Sequence, residues 1–333
     1  MNYRLSALGL CILAVVGGFS ASQTLFGDPS AKGQVTGPTI SAVLNSATNV
    51  LETEPEHAVS PGSGISVFGE GFASHLPSPS TVPLSSLQIP LDTRLGDLSV
   101  TIDGILMPIF GIFRGEDFGT GFDQINGQLP WEVLATSKPT AMMQITSNGV
   151  ASPLREISVA EASPGIYTWG FGPGPAIVTN FVPEDPGRSE FAQVPGTFCT
   201  SFSLPPEACV PTDPSDMPIV NEKPAEIGGV ITIWGNGLGP LNGMVPTGDI
   251  PEPGAPLLFA TKTVRVFIGG VEAQVLASIL QPQFVSLNQI NAFVPEGVTP
   301  GEKVPIIIEV ECDPQTILRS RADATIAVAA ATS

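Results

Sequence analysis

One stretch of this chain occurs twice. Residues 122–133 read FDQINGQLPWEV and residues 287–298 read LNQINAFVPEGV. Both carry Gln-Ile-Asn, an apolar residue three positions on, and then Pro: Gln124, Ile125, Asn126, Leu129, Pro130 and Gln289, Ile290, Asn291, Val294, Pro295. Two further segments repeat at an offset of 166 residues and a third at 162. GSGISVFGEGF (62–72) parallels GGVITIWGNGLGP (228–240), LSVTIDGILMPIF (98–110) parallels VRVFIGGVEAQVL (264–276), and AMMQITSN (141–148) parallels KVPIIIEV (303–310). Chance matches would not keep register. The chain is built from one unit used twice.

The unit reads as β structure. Ile65 and Val67 alternate with Ser66 and Phe68, a period of two. Asp103-Gly104 is a strong hairpin signal, and LMPIFGIF (106–113) is the expected partner of LSVTIDG (98–104). TAMMQIT (140–146) and PLREISV (154–160) add two strands around Asn148-Gly149, and ADATIAVA (322–329) closes the second unit. Gly (36) and Pro (34) make up about a fifth of the 333 residues, well above the roughly 12% of an average protein. Helices tolerate neither so often. With about seven short strands per half, each with one apolar face to bury, the expected fold is all-β. It is two tandem immunoglobulin-like β-sandwich domains with long Pro/Gly-rich loops.

Residues 1–22 read as a signal peptide, with Arg4 ahead of the apolar run Leu5–Phe19 and small residues Ser20-Ala21-Ser22 before a cleavage at Gln23. An uncleaved anchor is the alternative, although the run is short for the roughly 20 residues that span a bilayer. Residues 23–39 form a flexible lead-in, 40–160 the first domain, 161–223 a connection with a Cys-containing insert, and 224–330 the second domain. The Pro-rich part of that connection, from 181 on, shows no period and is expected to lie outside any hydrophobic core.

Thirteen Lys+Arg against 31 Asp+Glu give a net charge of −18 with no basic cluster. Nucleic acid and anionic membrane surfaces are therefore excluded as partners, and no membrane span remains after signal cleavage. Outside the cytosol, Cys199 and Cys209 favour a disulfide. Closing so short a loop contributes about 3 kcal/mol. Cys312 is left as a buried thiol or as a partner for one of those two.

The fuller pattern of SPGIYT (163–168), GPAIVTN (174–180), PAEIGGVITIWGNGLGP (224–240), VRVFIGG (264–270), the QIN stretch and VPIIIEV (304–310) resembles IPT/TIG immunoglobulin-like domains. It also resembles a C-terminal domain of secreted Acidobacteria proteins of the Solibacter type. The match covers roughly 163–330, with a weaker copy over 40–160, and departs from the pattern at the insert 181–223. The resemblance implies an extracytoplasmic sandwich with no agreed catalytic activity and supplies no functional residues.

WGNGLGP carries GxGxG after a strand, but Pro240, Pro246, Pro251, Pro253 and Pro256 deny it the helix that a dinucleotide loop needs. It reads as a turn requiring positive φ. No G-x-S-x-G is present, and His57 and His75 read as solvated loop residues. Glu116, Asp117 and Asp123 share one Gly-containing loop, a pattern that suits Ca²⁺ or a carboxylate pair. The spacing is not that of an EF-hand and the second copy has no acids there, so loop solvation is preferred and no cofactor is expected. Trp234 aligns with Phe68 and reads as core, whereas Trp131 and Trp169 sit beside turns as candidate ligand-stacking aromatics. The expectation is a secreted or cell-surface, non-catalytic structural or binding module of adhesion type. Its partner would be an extracellular protein or glycan. The alternative is a carbohydrate-binding accessory domain or a weak extracellular glycoside hydrolase.

Overall fold

The computed structural model describes residues 37–73, 76, 84–118, 121–133, 139–185, 189–210 and 219–330. The signal segment, most of the lead-in and His75 lie outside the described residues. The first copy is framed by β1 (Thr39–Asn45), β2 (Gly64–Glu70), β3 (Leu98–Ile102), β4 (Ile105–Leu106), β5 (Ile109–Phe113), β6 (Asp123–Gln128), β7 (Thr140–Ser147) and β8 (Arg155–Ser158). The second is framed by β9 (Val178–Asn180), β10 (Val230–Asn236), β11 (Thr263–Ile268), β12 (Val271–Ala273), β13 (Val275–Leu280), β14 (Asn288–Phe293), β15 (Gly301–Asp313) and β16 (Ala324–Ala329).

The first sheet of copy one runs β1-β2-β6-β5 and its second sheet β8-β7-β3-β4. Copy two repeats this as β9-β10-β14-β13 and β16-β15-β11-β12. With the strands lettered in chain order, these are the ABED and GFC sheets of an immunoglobulin sandwich, with a short C′ strand beside C. The likeness extends to irregularities. The β5–β6 ladder slips between Ile109 and Gly111, and the β13–β14 ladder slips between Val275 and Ala277, the same place 166 residues later. A bulge that recurs at one position in both copies belongs to the design of the unit.

Each sandwich buries its own core because alternate side chains point inward. Val43, Ile65, Val67, Val100, Ile125 and Ile145 fill the first, and Ile231, Ile233, Val266, Ile290, Ile306 and Ile326 the second. Each such side chain contributes about 1.5–3 kcal/mol by leaving water. Ile125 and Ile290, inside the repeated motif, are fully buried. Gln124 donates to Asn126 at 2.7 Å and Gln289 to Asn291 at 3.2 Å, so the amide pair sits on the opposite face in both copies. Pro130 and Pro295 lie just past their strands and not within them.

Two expectations are corrected. LMPIFGIF does not stay beside LSVTIDG. Only Ile105–Leu106 pairs with β3, and after Pro108 the chain crosses to the other sheet to pair with β6. Proline has no N–H to continue the ladder. The segment 161–223 is more than a connection. Gly165–Ile166 and β9 pair with β10, Glu190–Phe191 pairs with β9, and Asn221–Glu222 pairs with Glu190–Phe191. The region expected to lack a core supplies Phe191, Phe198, Cys199, Cys209 and Val220 to a third apolar cluster, with Trp169 and Trp234. Strands of two or three residues are too short to show a period, which is why the sequence hid them.

Candidate binding surface

The two sandwiches meet through buried polar groups. Asn236, fully buried at the end of β10, donates from Nδ2 to the Gly64 carbonyl at 3.0 Å, to Ser46 Oγ at 3.2 Å and to Tyr167 OH at 3.3 Å. Asn45 Nδ2 donates to the Ser163 carbonyl at 2.6 Å and to its Oγ at 3.0 Å. A second contact seats the loop after β10 on the first copy. The Gly248 N–H donates to Gln128 Oε1 at 2.6 Å, and Thr247 Oγ1 accepts from Trp131 N at 3.0 Å while donating to Glu132 at 2.6 Å. The donors of this junction are paired and favour one arrangement, while Asn236 Oδ1 is buried without a partner among the described residues.

The Gly-x-Gly at the ends of β2 and β10 permits close backbone approach within each copy. Gly71 and Gly237 both have φ of 76°. A Cβ on Gly69 would collide with the Thr39 carbonyl, and one on Gly235 with the Gly165 carbonyl. These glycines let β1 and the short strand Gly165–Ile166 cross close by, which is a backbone-approach role and not a phosphate cradle.

The insert shares the outer edge of β16 with two short parallel strands, Gly174–Pro175 and Ala225–Glu226. The Ala192 carbonyl accepts from Ala327 N on the outer edge of β16, and Gln193 Nε2 donates to the Ala176 and Thr325 carbonyls. A short helix, α1 (Thr197–Ser201), follows. Glu222 caps it, accepting from Gly196 N at 2.7 Å and Phe198 N at 2.9 Å. Burial pushes the Glu222 carboxyl above its ordinary value near 4.5, and the N–H groups of Phe198, Gly196 and Thr197 pull the other way. Cys199 and Cys209 form a disulfide that ties α1 to the turn Pro206–Ala208. Between this bridged flap and β16 lies a groove of about 840 Å³, within the range of ligand pockets. Pro175, Pro195, Leu204, Pro206 and Val210 give it an apolar lining, with Lys303 and Asp323 at its border.

A second concavity of about 560 Å³ separates loop 50–56 of the first copy from β11 and β15 of the second. Phe267 and Ile307, paired across the strands, line it with Glu54, Glu56, Glu309 and Arg319. Burial raises the Glu56 carboxyl, opposed by Arg319 and reinforced by Glu309. Glu309 is itself held by Arg319 at 2.7 Å and Arg265 at 3.4 Å.

The structure disperses the residues singled out in the sequence. Asp123 spends both carboxylate oxygens on backbone, accepting from Ala73 N and Gly115 N at 3.0 Å, and Glu116 pairs with Arg114 at 2.9 Å. Asp117 sits in the single helical turn Gly115–Phe118 between them. Among the described residues no three His, Cys, Asp or Glu side chains converge as a metal site would require. Trp169 is 1% exposed and edge-on to Phe191 and Phe198, so it is core and offers no stacking face. Trp131 is half-buried over Gly62, where any Cβ would collide with its ring. Trp234 is buried as expected, on the outer side of its sheet, with Nε1 donating to Thr179 at 3.3 Å. His57 is not a free loop residue: its ring nitrogens meet the Glu54 carbonyl at 2.7 Å and Ser158 Oγ at 3.0 Å. Cys312 remains a half-buried free thiol, raised by burial. The groove itself was missed because its walls come from segments without periodicity; the disulfide was its one sequence signal.

No family model matches the chain, and no curated protein matches it. Among solved structures it is similar to the I9–I11 tandem of titin, at 8% identity, covering 88% of this chain and 66% of that one, with a TM-score of 0.18. The immunoglobulin-like reading rests on the strand order of the two sandwiches.

Proposed function

We propose that this protein is a secreted or cell-surface, non-catalytic structural and binding module of adhesion type, built from duplicated immunoglobulin-like domains. The observation that carries the reading is the groove beneath the disulfide-bridged flap. It is the larger of the two concavities described, it is mainly apolar, and it lies in the insert that the first copy lacks. A disulfide suits an oxidising compartment outside the cytosol. Among the described residues no helix is long and apolar enough to cross a membrane. Kinship with IPT/TIG domains and with secreted Acidobacteria proteins belongs to this proposal, resting on the motifs quoted above. The partner would be an extracellular protein or glycan.

The test is a glycan-array, protein-binding and glycoside-hydrolase screen on residues 23–333. The expected result is binding without turnover, weakened by Leu204→Glu in the groove wall. Turnover abolished by Asp117→Asn or Asp123→Asn would overturn the reading in favour of a hydrolase.

A further inference from the structure

The chain contains four Asn-Gly pairs: Asn126-Gly127, Asn148-Gly149, Asn236-Gly237 and Asn242-Gly243. Asn-Gly is the dipeptide most prone to cyclise, because a glycine has no Cβ to obstruct its own nitrogen. Reaction requires the Asn amide to be unencumbered and the backbone free to rotate, and the fold treats the four very differently.

Asn126 is 1% exposed inside β6, with its Oδ1 held by Gln124. Asn236 is fully buried and its Nδ2 is engaged by the Gly64 carbonyl, Ser46 and Tyr167. Asn242 is exposed, but its Oδ1 accepts from Phe259 N at 2.8 Å and its own N–H donates to the Phe259 carbonyl at 2.9 Å. Asn148 shares with Asn242 a bond from its own N–H, to the Asp97 carbonyl at 3.2 Å, but differs from all three in its side chain. It is exposed at the tip of the hairpin between β7 and the short strand Val150–Ala151, with φ of 50° followed by 77° at Gly149. Its side chain has no hydrogen-bond partner among the described residues. The space around Gly149 is open, and its N–H donates to no described backbone carbonyl.

We propose that Asn148 is a site of spontaneous deamidation, the one place where the folded chain accumulates a covalent change. The Gly149 nitrogen, losing its proton, attacks Cγ of Asn148. A carbon–nitrogen bond forms, the Cγ–Nδ2 bond breaks, and ammonia leaves with the proton. Water then opens the succinimide at either carbonyl, giving Asp or isoAsp at 148. No oxidant or enzyme is needed. Either product places a new negative charge at the hairpin tip, and isoAsp adds a methylene to a two-residue turn whose register it disrupts. The equivalent hairpin of the second copy turns through Asp313, Pro314 and Gln315, which cannot react this way.

The test is to incubate the mature chain at mildly alkaline pH and to follow each Asn-Gly peptide by mass spectrometry, folded and in urea. In the folded protein the mass gain of amide-to-acid conversion should appear at Asn148 at least about tenfold faster than at Asn126 or Asn236, whose reaction needs local opening. It should also lead Asn242. In urea the four rates should converge. Asn242, Asn126 or Asn236 reacting first in the folded chain would overturn the proposal. So would an unchanged ranking after unfolding.

Discussion

The two copies share a strand order but close their open sides differently. In the first, strands β1 and β8 face each other across the gap between the sheets. Glu52 accepts from Val43 N on β1 and pairs with Arg155 on β8, while Arg155 reaches back to the Ile40 carbonyl. In the second, the insert adds two strands beyond β9, then crosses to β16 and pins itself with a capped helix and a disulfide. An exposed sheet edge is a liability that must be blunted or covered. In the first copy a backbone bridge of Val59 to Val159 adds to the Glu52–Arg155 ion pair, whereas in the second the flap shares the edge of β16 with the short strands Gly174–Pro175 and Ala225–Glu226. The difference teaches that a groove can arise as a by-product of covering an edge. It also places candidate recognition in the copy with the elaborate closure.

The largest expected effect is on that elaborate side. Replacing both Cys199 and Cys209 by Ser should destabilise the chain by about 3 kcal/mol in urea unfolding. A loss near zero would mean the flap is held by its hydrogen bonds alone.

Next comes the cap. Glu222→Ala leaves the N–H groups of Gly196 and Phe198 without their acceptor and should cost about 2 kcal/mol. Because the folded carboxyl is raised, its titration favours folding below the ordinary value near 4.5, and this contribution is lost as pH rises through the raised value. The gap between wild type and variant should therefore narrow with rising pH. Widening would show that the burial effect on Glu222 has the wrong sign.

The repeated motif gives a smaller contrast between the copies. Asn126 is 1% exposed, whereas Asn291 is half-buried and also accepts from Thr232 at 3.1 Å. Asn126→Ala should cost about 2 kcal/mol and Asn291→Ala about 1 kcal/mol, read as a difference in urea midpoint. Equal losses would erase that distinction. The smallest effect belongs to the simple closure: Arg155→Ala, breaking a partly exposed pair, should cost at most about 1 kcal/mol. A loss as large as that of the disulfide would make the two closures equivalent.

How much of this could be read in the sequence follows from element length. Six- and seven-residue strands such as β2, β6 and β10 announce themselves by alternation, and their recurrence gave the duplication. The turns Asp103-Gly104, Asn148-Gly149 and Gly269-Gly270 were legible because each demands positive φ at both positions, and each has it. The sheet switch after Pro108 was not legible, since Ile105–Leu106 and Ile109–Phe113 read as one apolar run. The insert was opaque for another reason. Its order comes from long-range bonds, such as Ala327 to Ala192 and Phe198 to Glu222, which local composition does not encode. Trp169 beside Gly170 looked like a surface turn because its partners Phe191 and Phe198 lie more than twenty residues away.

The most direct measurement of this account is hydrogen exchange at β16 and β8 before and after reduction of the disulfide. If the flap covers this part of the edge, the Ala327 amide, which donates to Ala192, should lose protection on reduction, while its β16 neighbours paired with β15, Gly174–Pro175 and Ala225–Glu226, and Arg155–Ser158 in the first copy, stay unchanged. Undiminished protection of Ala327 after reduction would contradict it.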